Sequence, residues 1–342
     1  MAAAPARRLL RSLAAARVGR RLLSRAESEI SLALATPSTE DVSTGREKWH
    51  TPEPAEPYLG SGRQPLDRLT SYCWIEDWSN AALVAAMRRQ LPYLVEKDPR
   101  FPENLEHRKH WEYAQVVVGL EQLGALHQDA LVLGVGAGHE EAIYDLSTRV
   151  RWLFATDIYG SGYFRAGEAD ARMLLDPDHF ARCPYNRNRL VVENMDALDL
   201  RFEDRTFDAV YSLSSIEHFG GLAGATRALD EMARVLKPSG IVALTTECVI
   251  NGESGLSRPG LEVFTPDGIR SLVSSVPALN PVGELDFSLS AKTRALKPIR
   301  LSDAVADAKR GHTEYPHVLI ELDGCVYTSF SVFLQKTAAA TR

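Results

Sequence analysis

Residues 130 to 138 read Ala130-Leu131-Val132-Leu133-Gly134-Val135-Gly136-Ala137-Gly138 and lead into His139-Glu140-Glu141-Ala142-Ile143. An apolar run of strand length breaks into three glycines at alternate positions and then opens a helix-like segment. Ala130 to Val135 is too short for a buried helix and reads as a central parallel strand covered on both faces. Gly134, Gly136 and Gly138 then let the backbone take positive φ and approach a ligand with no Cβ in the way. The plainer alternative is a tight strand-to-helix turn, and the segments downstream weigh against it.

The next apolar run, Val150 to Thr156, ends in Asp157, about twenty residues past the glycines. A carboxylate at the tip of a second strand can accept hydrogen bonds from two neighbouring ribose hydroxyls. Leu190-Val191-Val192-Glu193 reads as a third strand, followed by Met195-Asp196-Ala197. Phe207 to Ser212 reads as a fourth, running into Leu213-Ser214-Ser215-Ile216-Glu217-His218-Phe219. Leu222, Ala225, Leu229, Met232 and Leu236, three and four apart, predict a helix with one apolar face. Lys237-Pro238-Ser239-Gly240 stops it, and Ile241 to Thr246 reads as a fifth strand. His317 to Leu322 and Val326 to Leu334 flank Asp323-Gly324, a pair that supplies the positive φ of a type I′ turn. This order predicts an α/β protein with a doubly wound, mostly parallel sheet.

With these landmarks in place, residues 128 to 250 resemble the class I S-adenosylmethionine-dependent methyltransferases, a match to a superfamily and not to one enzyme. The resemblance implies a seven-stranded Rossmann-like sheet, an N-terminal helical extension, and S-adenosyl-L-methionine as cofactor. It also implies that the cofactor lies on Gly134, Val135, Gly136, Gly138, Asp157, Ile158, Asp196, Ala197 and Ser212. In that arrangement the GxGxG loop cradles the methionine end, Asp157 holds the ribose, and Asp196 with Ala197 faces the adenine. One departure is plain. The acid often found two positions before the first glycine is Val132 here, so a bond to the cofactor's amino group has to come from Glu140 or a backbone carbonyl. That departure keeps a second class in view, a methyltransferase-like cofactor-binding or scaffold protein without turnover, against which Asp157 and Asp196 count.

Two competing nucleotide folds fit worse. A dinucleotide fingerprint needs a third glycine three residues after the second, where this chain has His139. A P-loop needs Gly-Lys-Ser or Gly-Lys-Thr after the glycines, and neither follows.

Methyl transfer from a sulfonium is an in-line displacement, so the protein mainly aligns the nucleophile and, for a hydroxyl, removes its proton. In the resembled fold the loop after strand four faces the methyl group, which makes His218 and Glu217 the catalytic candidates. His218 is the favoured base because an unperturbed imidazole titrates near working pH, with Glu217 orienting it or binding substrate. The plainer reading is that both cap the helix beginning near Gly220. Some related enzymes carry a metal on ExxEH in this loop, but Ser214 stands where the first glutamate would be, so no metal is expected. These readings predict an O-directed methyltransferase acting on a small molecule or glycan, with nitrogen acceptors next.

The chain has 342 residues and 45% hydrophobic content, enough for a sizeable core. Cys73, Cys183, Cys248 and Cys325 are scattered without a CxxC pair, which fits a reducing compartment and a cytoplasmic enzyme. No apolar run reaches transmembrane length. The net charge of -6 hides an asymmetry: Arg7, Arg8, Arg11, Arg17, Arg20, Arg21 and Arg25 precede the first acid, leaving -13 on the remainder. That arm reads either as a basic tail for peripheral membrane contact or, in a eukaryote, as a mitochondrial presequence. An acidic body argues against a nucleic-acid substrate. No Asn/Asp-Pro-Pro-aromatic signature of base-amino methyltransferases follows strand four. The composition divides the chain into a basic arm and Pro-rich linker over 1–68, N-terminal helices over 69–127 on the lid or substrate side, and the methyltransferase domain over 128–338. The segment His107-Arg108-Lys109-His110-Trp111-Glu112-Tyr113 is a candidate lid or substrate wall, and the long crossover from Ile158 to Arg189 a candidate functional loop.

Overall fold

Five strands follow one another through the middle of the chain: β1 (Leu131–Val135), β2 (Trp152–Asp157), β3 (Leu190–Asn194), β4 (Phe207–Leu213) and β5 (Leu236–Val249). Within this group every pairing is parallel, with Val135 opposite Thr156 and Gly134 opposite Tyr211. Four more complete the sheet: β6 (Leu279–Pro281), β7 (Ile299–Arg300), β8 (Ile320–Leu322) and β9 (Cys325–Lys336). Their spatial order is β7-β8-β9-β5-β4-β1-β2-β3, with β6 also beside β9. This computed structural model describes residues 54–59, 65–162, 168–251 and 254–338. The arginine-rich arm lies outside the described residues, as do Tyr163, Phe164 and Arg165 of the crossover.

The α-helices longer than four residues are α1 (Ala81–Gln90), α2 (Pro92–Lys97), α3 (Arg108–Gln122), α4 (Glu141–Ser147), α5 (Gly221–Val235), α6 (Pro266–Ser274) and α7 (Leu301–Ala308) among the described residues. Strand alternation divides them between two layers. Val132, Ala209, Tyr211 and Ala243 point to one face and pack with Trp111, Val117 and Ile143 of α3 and α4. Leu133, Val210, Val242 and Leu244 point to the other and pack with Leu229, Met232 and Ile269 of α5 and α6. Each fully buried side chain of this size contributes about 1.5–3 kcal/mol, so both layers are needed to hold the sheet. All of α3 from His110 to Leu120 is buried, which explains its weak amphipathic pattern: it lies between the sheet and the neighbouring helices.

The doubly wound expectation holds, with three differences. The sheet has nine strands where the resemblance implies seven, because β8 and β9 recruit two short segments through backbone pairing that needs little of their side chains. The apolar face of α5 is Ala225, Ala228, Leu229, Met232 and Ala233, whereas Leu222 in its first turn is 40% exposed. Leu236 is buried, but as the first residue of β5, which starts where the helix stops. The hairpin is as expected: Asp323 and Gly324 have φ of 51° and 78°, both left-handed as a type I′ turn requires.

Within the Pro-rich linker expected up to residue 68, Tyr58 is buried. Its hydroxyl donates to Asp145 Oδ2 at 3.0 Å, its ring lies 4.0 Å beneath Arg149, and the amides of Tyr58 and Leu59 donate to Glu121. Proline-rich composition leaves this anchor illegible, since one aromatic residue and the distant acids it meets form the contact.

Candidate active site

The loop leaving β1 is fixed from three sides. Gly136 and Gly138 have φ of 64° and 50°, a region that residues with a Cβ avoid. The Gly138 amide donates to Asp157 Oδ2 at 2.8 Å, Tyr159 donates to the Gly138 carbonyl at 2.6 Å, and Ser215 Oγ donates to the Gly136 carbonyl at 2.7 Å. A Cβ on Gly136 would come within 2.7 Å of Ser215, so that glycine also admits the turn after β4. Gly134 departs from the expectation of positive φ: it is ordinary strand, and the space of its missing Cβ is taken by the Tyr211 hydroxyl, 2.6 Å away.

Asp157 closes this end. Its Oδ1 accepts from the Ile158 amide at 2.7 Å, and the Met195 amide donates to its carbonyl at 2.9 Å, which joins the tip of β2 to the segment holding Asp196. Burial pushes the Asp157 carboxyl up to about 6, against the pull of the Gly138 and Ile158 amides and of His218. Ile158 is exposed, as is Asp196, whose Oδ1 accepts from the Leu198 amide at 2.8 Å, while Ala197 is buried between them. Gly136, Gly138, Asp157, Ile158 and Asp196 therefore share one edge. Val135 packs in the α5 layer, and Ser212 lies fully buried on the same face as Val210.

After β4 the chain turns through Ser214, a non-glycine residue at φ 45°, into a short 3-10 turn Ile216–His218. The turn sends its two polar side chains in opposite directions. His218 is exposed, and its Nδ1 lies 2.7 Å from the Gly260 carbonyl of the antiparallel ribbon Leu256–Arg258 and Leu261–Val263. A carbonyl only accepts, so Nδ1 carries the proton and the ring's lone pair resides on Nε2. Glu217 is 1% exposed. Thr246 donates to its Oε2 at 2.9 Å, and its Oε1 is buried without a partner among the described residues. Burial pushes this carboxyl up to about 7, with His218 and Lys109 pulling down and Glu247 pushing up.

Beside Glu217 lies a buried polar cluster. Arg108 donates to Glu247 at 2.6 Å and to Glu112 at 3.1 Å; Lys109 reaches Glu112 at 3.2 Å. Ser214 and Ser329 also donate to Glu112. Burial opposes ionisation of Glu112, but Lys109, Arg108 and the hydroxyls outweigh it and hold the carboxyl below its usual range. The candidate lid thus forms a wall, buried at every position from His107 to Tyr113 except Lys109. His107 caps α3 by accepting from the Lys109 amide and stacks on His317 with centroids 4.1 Å apart. Sequence reasoning missed Thr245, Thr246, Glu247, Tyr211 and Ser329. The available signal was Thr245-Thr246-Glu247 as three successive polar residues inside an apolar strand.

Residues 133–244 match the family model described as a methyltransferase domain. That match makes residues 133–244 similar to a methyltransferase domain, a segment that spans β1 to most of β5. Similar solved structures include the geranyl diphosphate C-methyltransferase of Streptomyces coelicolor, at 13% identity and TM-score 0.41 over 66% of this chain and 78% of that one. The [4+2]-cyclase SpnF matches at 17% identity and TM-score 0.44 over 67% and 83%. The YcgJ protein of Bacillus subtilis matches at 15% identity and TM-score 0.42 over 65% and 98%. The described residues include no helix long and apolar enough to cross a membrane.

Proposed function

We propose that the protein methylates a hydroxyl of a small-molecule or glycan acceptor, with Glu217 taking the proton. The observation that carries this reading is the Glu217 carboxyl itself: buried after β4, held by Thr246 through one oxygen, unpartnered at the other among the described residues, and raised to about 7. A base with that affinity for protons is half ionised near neutral pH and can accept a proton as the oxygen is alkylated. The two candidate residues thereby exchange the roles expected from sequence. His218, exposed and tied to Gly260, positions the turn that presents Glu217. S-adenosylmethionine, held along Gly136, Gly138, Asp157, Ile158 and Asp196, supplies a methyl group already activated for displacement.

The nearby charges favour a neutral acceptor. Arg108 and Lys109 are engaged by Glu112 and Glu247, so a phosphate or carboxylate acceptor would compete with ion pairs already made. Three acids against two cations make an amine the second reading. All four cysteines are free thiols, which suits a cytoplasmic location, and the acidic body continues to disfavour nucleic acid. The arginine-rich arm is a peripheral membrane contact in this reading.

Incubation with methyl-labelled cofactor and a panel of sugars, phenols and amines should place the label on a hydroxyl. Glu217→Gln should then lower kcat by about a hundredfold with cofactor affinity unchanged. Turnover of the unmutated enzyme should rise with pH through about 7 as Glu217 ionises, and the variant should lose that rise. Full turnover in Glu217→Gln together with loss in His218→Ala would return the base to His218.

A further inference from the structure

We propose that Lys109 is a positioning residue for the transfer: it holds, through Glu112 and Ser214, the turn that carries Glu217, and it sets a positive charge toward that carboxyl. The proposal rests on the reading of Glu217 as the base and deepens it. Arg108 and Lys109 open α3, whose first turn holds no acid. Cations there oppose the helix dipole, so neither serves the helix itself. Arg108 is explained by its buried pairs with Glu112 and Glu247. Lys109 differs: with a side chain 26% exposed, it is the one position from His107 to Tyr113 that is not buried. Its side chain's single hydrogen bond among the described residues runs from Nζ to Glu112 Oε2 at 3.2 Å, which engages one of an ammonium's three donors.

Glu112 does not depend on that bond. Arg108 and Ser329 donate to its Oε1, and Ser214 donates to its Oε2 at 2.8 Å. What the bond adds is a chain across the site, from Lys109 through Glu112 to Ser214. Ser214 is the non-glycine residue at φ 45° where the backbone leaves β4, two residues before the turn Ile216–His218, and its amide donates to the Thr245 carbonyl at 2.9 Å. A left-handed serine persists only where its surroundings fix it, and Glu112 fixes its hydroxyl. The charges around Glu217 point the same way. Burial opposes its ionisation most, and Glu247 on β5 adds to that; His218 on the turn itself and Lys109 on α3 favour it. Arg108 is already engaged by Glu112 and Glu247, and the ribbon's Glu262 lies toward Gly221 at the start of α5. Lys109 also favours the ionised forms of Glu112 and Glu140, so its ammonium stands among carboxyls from α3, the loop before α4 and the turn after β4.

Carboxyl-carbon NMR on the full chain labelled at glutamate follows Glu217 directly, its signal identified by its absence in Glu217→Gln. The midpoint should lie at about 7 in the unmutated protein. It should move up, with proton affinity raised about tenfold or more, in Lys109→Met and equally in Lys109→Gln, which keeps a donor for Glu112 and removes the charge. Lys109→Arg should restore it. With S-adenosylmethionine and the hydroxyl acceptor that takes the label in the panel above, the pH rise in kcat should move up by the same amount. Lys109→Met should therefore lose about tenfold at neutral pH and recover in alkaline buffer, with KM for the cofactor unchanged. An unmoved Glu217 midpoint in folded Lys109→Met and Lys109→Gln overturns the proposal. A loss of turnover that is the same at every pH also overturns it, by showing that Lys109 only braces the wall. Full turnover in Glu217→Gln overturns the base reading itself. That failure is distinct from an unmoved midpoint beside a Glu217→Gln variant that has lost turnover, which is the failure of Lys109 alone.

Discussion

Asp157 and Glu112 are carboxylates on either side of the same site, and they are held in opposite ways. Asp157 takes its bonds from backbone amides of the glycine loop and of its own neighbour. Glu112 takes its bonds from side chains gathered from α3, β9 and the turn after β4. The outcomes differ in sign: Asp157 is pushed up to about 6, and Glu112 is held below the ordinary range. Amides orient a carboxylate without neutralising it, so Asp157 keeps capacity for a ligand's hydroxyls. Cations and hydroxyls saturate Glu112, which makes it a structural charge. The comparison separates a loop edge whose carboxylate keeps free capacity from a buried wall whose charges are spent on holding α3 to the sheet.

The largest expected effect breaks the wall. Arg108→Met leaves Glu112 and Glu247 buried without their shared cation and should cost about 3–5 kcal/mol in urea unfolding, the usual penalty for removing one partner of a buried ion pair. A loss below about 1 kcal/mol would mean that Lys109 and the hydroxyls suffice and that the wall is not the stabilising half.

A smaller effect sharpens the edge. Asp157→Asn should weaken S-adenosylmethionine binding by about 1.5–3 kcal/mol in calorimetry. Because the ionised form accepts the ribose hydroxyls, affinity of the unmutated protein should rise with pH through about 6, and the variant should lose that dependence. Folding runs the other way. A carboxyl raised in the folded state contributes stability at low pH that is lost as pH rises through about 6, so Asp157→Asn should be no less stable than the parent at pH 7. A sharp drop in unfolding temperature for Asp157→Asn would assign Asp157 to structure and erase the contrast with Glu112.

The smallest effect concerns Asp196, which is exposed and bonded only locally to the Leu198 amide. Asp196→Asn should reduce cofactor affinity by about 0.5–1.5 kcal/mol with no change in thermal unfolding. Equal affinities in calorimetry would confine the edge to the glycine loop and Asp157.

The geometry of the glycine loop was legible in advance because its parts are local. Gly136, Gly138 and Asp157 are each placed by the end of a strand whose apolar run announces it, and a backbone-held site needs only those strand ends to be parallel neighbours. Legibility failed where a residue's role depends on what faces it. Gly134, Val135 and Ser212 carry the expected motif positions, but strand alternation turns Val135 and Ser212 into the α5 layer and gives the Gly134 space to Tyr211. The assignment of His218 as base followed chemical type; the 3-10 turn buries Glu217 and exposes its neighbour, the difference on which the proposed exchange of roles rests.

The sequence by itself determined the doubly wound class, the strand order through β5, the Asp323-Gly324 hairpin and the glycine loop with its acid at the tip of β2. These depend on periodicity of two or 3.6 residues and on backbone angles that few residues can adopt, which are properties of short segments. Tertiary structure alone decided the buried polar wall, the anchoring of Tyr58 and the difference between Glu217 and His218. Arg108, Glu112, Glu247 and Ser329 are separated by up to 221 positions, and only packing brings them into one cluster. A carboxylate's proton affinity is set by the water it loses and the charges it meets, and neither is written in the residues beside it.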